Sequence, residues 1–328
     1  MRASLNTAAA DFFKKDQTKK ATQTVGRVLF NIGFFLLVAG LCFVLLYPIL
    51  YMLTMAFRPM EEGIDPSVIW VPKSLTFDNI RLAWEVLDFG NTLKNTLTIH
   101  IPSSLLQVAV CATAGYGFAR FNFKGRGVLF ALVLLTVMVP PQLTIIPLAR
   151  NLAYFDFFGL GRIVSLFGVN GTVNLLNTPA PFYVLAAFGT GIKAGLFIFI
   201  FRQFFRGLPR ELEEAALIDG CGFFAAFVRV ILPNAGAVSV SAVILSVVWY
   251  WNDYYYTSVL SPNMRTVSMA LSGMRTLYEQ VVNPRAQEHE TAILLQAGAL
   301  LVILPILIMY IVLQRKLVQG MERSGLVG

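Results

Sequence analysis

The sequence predicts an all-α integral membrane protein with six transmembrane helices. Of its 328 residues, 56% are hydrophobic and only 13% are charged, and the mean hydropathy is +0.67. A water-soluble domain of this size needs more polar surface than this composition provides. Apolar runs also recur along the chain, and a helix needs about 20 such residues to cross the hydrocarbon core of a bilayer.

Five of the predicted spans are apolar runs in which Asp253 is the only charged residue. They cover residues 28–57, 95–119, 127–149, 235–260 and 291–314. The sixth lies within 181–205, where Lys193 interrupts the apolar run. Because a lysine stem can extend from apolar surroundings to the interface, we expect a helix that starts near Gly189 with Lys193 at its outer end. A lysine truly inside the membrane is the alternative.

Lysine and arginine in the loops predict the orientation of the chain. They are more frequent in the two terminal segments and in the 206–233 loop, so we expect these parts to be cytoplasmic. The net charge of +8 reflects this bias and requires no nucleic acid. The resulting segments are a cytosolic N-terminal tail at 1–27, the first transmembrane helix at 28–57, an extracytoplasmic loop at 58–90, a core of five spans at 91–314 and a cytosolic C-terminal tail at 315–328.

The cysteine and histidine residues predict neither a disulfide framework nor a metal site. The three cysteines fall in predicted spans or in the inside loop, so we expect no disulfide framework. The two histidines, His100 and His289, are far apart and lack cysteine partners, so a metal site is not expected. We expect residues 163–176 to form a short helix near the outer interface.

The inside loop carries the most distinctive polar pattern. Acidic residues, including Glu214, favour the start of a helix at 210–219, and Gly220 can end it in a left-handed conformation. Ala215 and Ala216 would let another surface approach closely. Asp219 lies at the unfavourable negative end of the helix dipole, which hints at an external partner. An ordinary amphipathic connector between two spans is the alternative.

After this turn, apolar residues recur at helical spacing. We expect them to pack back onto the membrane bundle, and Pro233 to open the next span. The residues expected to pack in this way are Phe223, Phe224, Phe227, Val228 and Ile231.

Prolines interrupt the third predicted span. Pro140, Pro141 and Pro147 remove backbone donors from it, which predicts bends that act as a hinge or gate. A static kink filled by neighbouring helices is the alternative.

Polar residues also interrupt the fifth span. An unpaired charge is costly in an apolar span, so we expect Asn252 and Asp253 to face a cavity or a partner. Trp249 and Tyr254 could offer aromatic faces to a solute along the same pathway. Two other interpretations remain open: an aromatic belt at the membrane interface, and an ion pair of Asp253 with Lys193.

The inside loop resembles the coupling loop of ABC importer permeases. The run Glu214-Ala215-Ala216, three residues, Gly220 and then Ile231-Leu232-Pro233 carries this resemblance. Residues 114–126, 138–148 and 249–254, together with the tail at 319–328, resemble permeases of carbohydrate importers. The matches run from about residue 90 to the C-terminus, in the order and spacing of that family.

The resemblance implies a type I ABC importer permease (MetI-like) bundle with a cytosolic coupling helix, similar to the six-span permease of the maltose importer. It implies a non-catalytic subunit in the cytoplasmic (inner) membrane of a bacterium or archaeon. Its partners would be a second permease, an ATP-binding cassette ATPase dimer that meets Glu214, and a solute-binding protein that delivers a sugar or oligosaccharide. The chain has no Gly-Lys-Ser or Gly-Lys-Thr, so ATP and Mg²⁺ are expected on the ATPase.

Other function classes remain to be separated from this interpretation. The same fold could import a peptide, an amino acid or an oxyanion. A secondary transporter or channel would require intramembrane charges, for which only Asp253 and Lys193 are candidates. A membrane-embedded enzyme is disfavoured, because no span carries paired carboxylates or a nucleophile beside a base.

Overall fold

Helices account for nearly all regular structure in the chain. The computed structural model describes residues 2–65, 71–156, 159 and 171–325. Within these ranges the only β-type pairing is an isolated antiparallel bridge between Phe155 and Val173. The predicted all-α class is therefore confirmed for the part of the chain that the structure describes.

Fourteen helices are assigned within the described ranges, and a 3₁₀ turn at Met60–Ile64 separates the first two. In chain order they are α1 Arg2–Ala56, α2 Asp78–Val86, α3 Phe89–Arg120, α4 Arg126–Met138, α5 Pro141–Ala153, α6 Ala180–Ala187, α7 Ala194–Gly207, α8 Glu211–Ile218, α9 Phe223–Asn234, α10 Gly236–Trp251, α11 Tyr255–Leu260, α12 Val267–Ser272, α13 Met274–Val281 and α14 Glu288–Gly325.

Three single helices are long and apolar enough to cross a membrane. These segments are Leu29–Ala56 in α1, Phe89–Arg120 and Glu288–Gln314 in α14. Two bent pairs pass the same test: α4 with α5, which meet at 105°, and α9 with α10, which meet at 79°. The described residues thus contain three to five candidate spans, and the predicted count of six goes beyond what these helices establish.

The central helix of the fold is α3. Its second half packs against α7 through a shared apolar core that includes Cys111, Phe197 and Phe201. Gly115 allows this contact, since a Cβ there would lie 2.6 Å from Phe201 Cβ and 2.9 Å from the Arg202 backbone nitrogen. Gly117, two residues further along α3, faces open space.

The first helix packs against α14 mainly near its own C-terminal end. Its apolar side chains are exposed on all faces over most of the span, and none of its most apolar window is buried. Only its end, at Met52 and Ala56, is buried, where Ala56 shares a core with Leu294 and Ala297 of α14. The first span is therefore attached to this bundle mainly at one end.

Two expectations about residues 163–176 and 235–260 need correction. Residues 171–176 form no helix, and Val173 instead pairs with Phe155; the remaining predicted helix positions, 163–170, lie outside the described residues. The span predicted at 235–260 is also discontinuous, because α10 ends at Trp251 and α11 starts at Tyr255.

The Lys193 region agrees with the interpretation that places this lysine at a helix end. Lys193 is exposed and adopts a left-handed conformation at the N-cap of α7, with φ of 58°. The preceding helix, α6, is a separate element that starts at Ala180, earlier than the helix start that we expected near Gly189.

Candidate functional site

Helix α8 has the ends that its sequence predicts. Glu211, Glu213 and Glu214 occupy its first turn, where the helix dipole favours negative charge. Gly220 follows the C-cap with φ of 83°. The Cys221 N–H donates to the Ala216 carbonyl at 3.0 Å and the Gly220 N–H to the Leu217 carbonyl at 3.1 Å, which is the Schellman arrangement. The left-handed stop predicted at Gly220 is confirmed.

The side chains of α8 divide between two faces. Glu214 and Ala215 are exposed, as are Asp219 and Gly220 just beyond the helix. Ala216 is buried, and the Glu213 side chain is only 13% exposed. The outer face of α8 and the turn after it therefore carry most of the residues predicted to contact a partner. Glu213 and Ala216 point instead toward the rest of the chain.

The segment after the turn packs less completely than we expected. Phe227 and Ile231 are buried in the core, whereas Phe223, Phe224 and Val228 are exposed, Phe224 by 76%. Phe227 and Ile231 are the first and last residues of a π-helical turn, and both point into the core. The expectation that all five residues pack inward was wrong for Phe223, Phe224 and Val228.

Pro233 lies close to the start of the next span, as predicted, but it belongs to the preceding helix. It is exposed near the end of α9, and α10 begins at Gly236 after the 79° bend. Its fixed φ suits this short final turn of α9.

An ion pair connects α8 to the end of α3. The Tyr116 hydroxyl donates to Glu213 Oε1, and Arg120 Nε lies 3.3 Å from Glu213 Oε2. Arg120 also donates from Nη2 to the Leu208 carbonyl at 2.9 Å, just before α8. The Arg120 side chain is only 6% exposed. Our sequence analysis did not identify this cluster; the one local signal is a second glutamate directly before Glu214.

Asp253 occupies a structural position in the break between α10 and α11. It is 9% exposed. Its carboxylate accepts hydrogen bonds from the Tyr256 N–H at 3.1 Å, the Thr257 N–H at 2.9 Å and the Thr257 hydroxyl at 2.7 Å. The carboxylate thus satisfies the first turn of α11, as a capping residue does. The alternative pairing with Lys193 is not present among the ion pairs of the described residues.

The other residues predicted for the pathway are spread around this break. Asn252 and Tyr254 are exposed, and the Asn252 amide donates to the Val248 carbonyl of its own helix at 2.8 Å. Trp249 is half-buried and packs on Phe197, with ring centroids 5.3 Å apart. A role for these residues along a solute pathway stays a prediction.

A second buried polar group joins α3 to α10. The Tyr250 hydroxyl donates to Gln107 Oε1 at 2.8 Å, and Gln107 Nε2 donates to the Ile192 carbonyl at 2.7 Å. A Cβ at Gly191 would lie 2.2 Å from Gln107 Oε1 and 2.4 Å from the Tyr250 hydroxyl oxygen, so a larger residue there would displace these side chains. Nothing in the local sequence pairs Gln107 with Tyr250, which are 143 residues apart.

Two of the three prolines in the third predicted span lie at the 105° bend between α4 and α5. Pro140 is the N-cap of α5, Pro141 is in its first turn, and Pro147 lies inside it. A cavity of about 440 Å³ adjoins this bend, with Pro141, Thr144, Lys193 and Tyr256 in its wall. The structure thus locates the bend where the sequence predicts it, and the hinge or gate function stays a prediction.

Comparison with known proteins agrees with this architecture. The family model described as "Binding-protein-dependent transport system inner membrane component" matches residues 111–323. The arabinooligosaccharides transport system permease protein AraQ of Halalkalibacterium halodurans is 29% identical, over 94% of this chain and 100% of that protein. A probable ABC transporter permease protein of Pyrococcus horikoshii is 31% identical, over 84% of this chain and 90% of its own length.

A further relative and a solved structure extend the comparison. The probable starch degradation products transport system permease protein AmyC of Thermoanaerobacterium thermosulfurigenes is 27% identical, over 83% of this chain and 88% of that protein. A crystal structure of a bacterial ABC transporter involved in the import of the acidic polysaccharide alginate contains a chain with a TM-score of 0.61 and 19% identity, covering 88% of this chain and 96% of that one. From the family match and these relatives, the chain belongs to the family of binding-protein-dependent transport system inner membrane components.

Proposed function

We propose that this chain is a transmembrane subunit of an ATP-driven ABC importer that translocates a sugar or oligosaccharide. The observation that carries this proposal is full-length similarity to AraQ, named for arabinooligosaccharide transport. AmyC, named for the transport of starch degradation products, supports the same solute class. The likeness to the alginate importer supports the fold alone, because the identity is low.

The outer face of α8 supports coupling to a separate ATPase. Its glutamate, Glu214, has no intramolecular ion pair among the described residues. Large apolar side chains are also exposed in this loop, including Ile218, which is one turn after Glu214 and 86% exposed, and Phe224. A surface that combines exposed apolar groups with a free carboxylate suits a protein partner with an apolar groove and a basic residue.

The importer would contain three further kinds of subunit. An ATPase dimer would bind ATP and Mg²⁺, a second permease would complete the translocation cavity, and a solute-binding protein would deliver the sugar. The six spans would be the 29–56 segment of α1, α3, the α4–α5 pair, α7 with its preceding turn, α10 with α11, and α14. Both termini and α8 would then be cytoplasmic, which agrees with the distribution of lysine and arginine.

Purification from native membranes in mild detergent, followed by mass spectrometry, tests this assembly. We expect an ATPase with a phosphate-binding loop and a second permease to remain bound. Repeated recovery of this chain alone, in folded form, would instead favour the channel or secondary-transporter interpretation.

The solute class needs a separate measurement. The purified complex in proteoliposomes, supplied with its solute-binding protein, should hydrolyse ATP faster when arabino- or malto-oligosaccharides are added. Stimulation by peptides, amino acids or oxyanions, and not by these sugars, would contradict the carbohydrate assignment while leaving the importer assignment intact.

A further inference from the structure

The inner face of α8 carries a polar connection that the coupling surface does not require. Glu213 points away from the exposed Glu214 side and into the junction with α3. Its two carboxylate oxygens have different partners: Oε1 accepts from the Tyr116 hydroxyl, and Oε2 forms the ion pair with Arg120. Both partners lie in the last turn and a half of α3.

Arg120 holds two parts of the loop at once. Its Nη2 donates to the Leu208 carbonyl at the C-cap of α7, and its Nε faces Glu213 at 3.3 Å. Nε lacks hydrogen-bond geometry with any partner among the described residues, so this second contact is an ion pair only. One guanidinium therefore connects α3 to both the entry into the loop and the loop helix.

Aromatic packing makes this junction stiff. The Tyr116 ring lies 4.6 Å from Phe227 and 5.7 Å from Phe205, measured between ring centroids. The hydroxyl that bonds Glu213 thus belongs to a ring fixed between α7 and α9. Because all three rings are buried, Tyr116 cannot follow a displaced Glu213 without disturbing the core.

The burial of the pair distinguishes it from the surface ion pairs. Arg81 Nε also lies 3.3 Å from a glutamate, Glu85, but these side chains are 83% and 61% exposed. The corresponding fractions for Arg120 and Glu213 are 6% and 13%. A surface pair is screened and contributes little, whereas separating a buried pair leaves two charges without compensation.

We propose that Tyr116, Arg120 and Glu213 form a latch that transmits movement of α8 directly to the long helix α3. This inference rests on the proposed coupling function and makes the three residues positioning residues rather than contacts of the ATPase. Without the latch, a push on α8 would reach the bundle through the chain connections to α7 and α9 and through the packing of α8 on α9. With it, the push also acts on α3, which carries Gln107 and the buried polar contacts to α10.

Hydrogen exchange of the complete transporter complex tests the latch without any need for the solute. The wild-type complex is compared in its nucleotide-free state and in the state trapped with ADP and vanadate. Peptides covering residues 211–219 report on α8, and peptides covering 108–120 report on the end of α3. In the wild type we expect both to change between the two states.

The informative variant is Glu213→Gln, which removes the charge with little change of shape. We expect the nucleotide-dependent change to persist at 211–219 and to be lost at 108–120. The matched control is Glu85→Gln, which removes a carboxylate at the same distance from an arginine on the exposed helix α2. In that control both segments should respond as in the wild type.

A second variant keeps the test decisive if Glu213→Gln does not assemble. Tyr116→Phe removes only the hydroxyl and keeps the ring packing, and it should also reduce the response at 108–120. A wild-type response of α3 in Glu213→Gln, or in Tyr116→Phe if only that variant assembles, would overturn the latch. An absent response at 211–219 in the wild type would instead contradict the proposed coupling function.

Discussion

Two buried carboxylates in this chain are stabilised in opposite ways. Asp253 is satisfied by its own next turn, through backbone and hydroxyl donors no more than four residues away. Glu213 is satisfied by Tyr116, 97 residues earlier in the chain, and by Arg120 from the same helix. The first arrangement starts a helix after a break, and the second joins separate elements of the fold.

The two carboxylates therefore differ in how far a displacement of the side chain affects the fold. Displacing Asp253 disturbs mainly the first turn of α11, because its partners move with it. Displacing Glu213 separates charges on different helices in a place from which water is largely excluded, which is costly. Long-range polar contacts of this kind are therefore better suited to connect moving parts than local caps are.

The largest expected effect comes from a third carboxylate, that of Glu214 on the outer face of α8. Glu214→Lys should abolish transport while leaving membrane insertion and the stability of the chain unchanged, because Glu214 is exposed and bonds no other helix. Uptake in proteoliposomes and the yield of folded protein measure the two properties. Glu85→Lys makes the same charge change on α2, and uptake there should persist. Unchanged uptake in Glu214→Lys would remove Glu214 from the coupling surface.

The next largest effect should come from breaking the long-range pair. Arg120→Met leaves the Glu213 carboxylate buried without its cation, and we expect a loss of about 3 kcal/mol in the free energy of unfolding. Unfolding in mixed detergent–SDS micelles measures it. The control Arg81→Met breaks an exposed pair and should cost less than about 1 kcal/mol. Equal losses in the free energy of unfolding of the two variants would mean that burial does not make the Arg120 pair more stabilising than the exposed pair.

The packing beside the latch can be tested at Gly115. Gly115→Ala places a methyl group 2.6 Å from Phe201 Cβ and close to the backbone of Arg202, so α3 and α7 must separate. We expect a destabilisation of about 1–3 kcal/mol in the same unfolding experiment. Gly117→Ala is the matched control, since that site faces open space, and it should be neutral or stabilise by up to about 1 kcal/mol. A neutral Gly115→Ala would show that the helices are less closely packed than the structure has them.

The smallest effect should come from the local cap. Asp253→Ala removes the acceptor of the Tyr256 and Thr257 N–H groups, and we expect a loss of about 1 kcal/mol, as for other capping residues. Asp253→Ser should restore part of it, because a serine hydroxyl can also cap. Asn252→Ala, which removes one bond to its own helix, provides the control. A loss as large as that of Arg120→Met would contradict the contrast between local and long-range stabilisation.

Several features could be predicted from local sequence because their physical causes are local. Apolar run length indicates membrane helices, the Pro140-Pro141 pair indicates the bend before α5, and Gly220 indicates the left-handed stop of α8. The motif residues from 214 to 233 also indicate the family to which the chain belongs.

Other expectations failed where the deciding contact was distant. Phe223 and Phe224 have helical spacing with Phe227, yet Phe227 packs against Tyr116 and Phe205 of other helices while Phe223 and Phe224 remain exposed. The span predicted at 235–260 is likewise interrupted after Trp251, where Asp253 bonds the first turn of α11, and a role of Asp253 along a solute pathway stays a prediction. Periodicity specifies which residues can share a face, but not where the neighbouring helix ends.

The sequence by itself determined that this chain is a helical membrane protein, where the bend before α5 and the stop of α8 lie, and which family it resembles. Only the tertiary structure decided which glutamate of α8 points outward and which is buried, and that Gln107 meets Tyr250. The signals that start and stop a helix act over a few residues. The environment of a polar side chain in an apolar bundle depends instead on which distant partner bonds it.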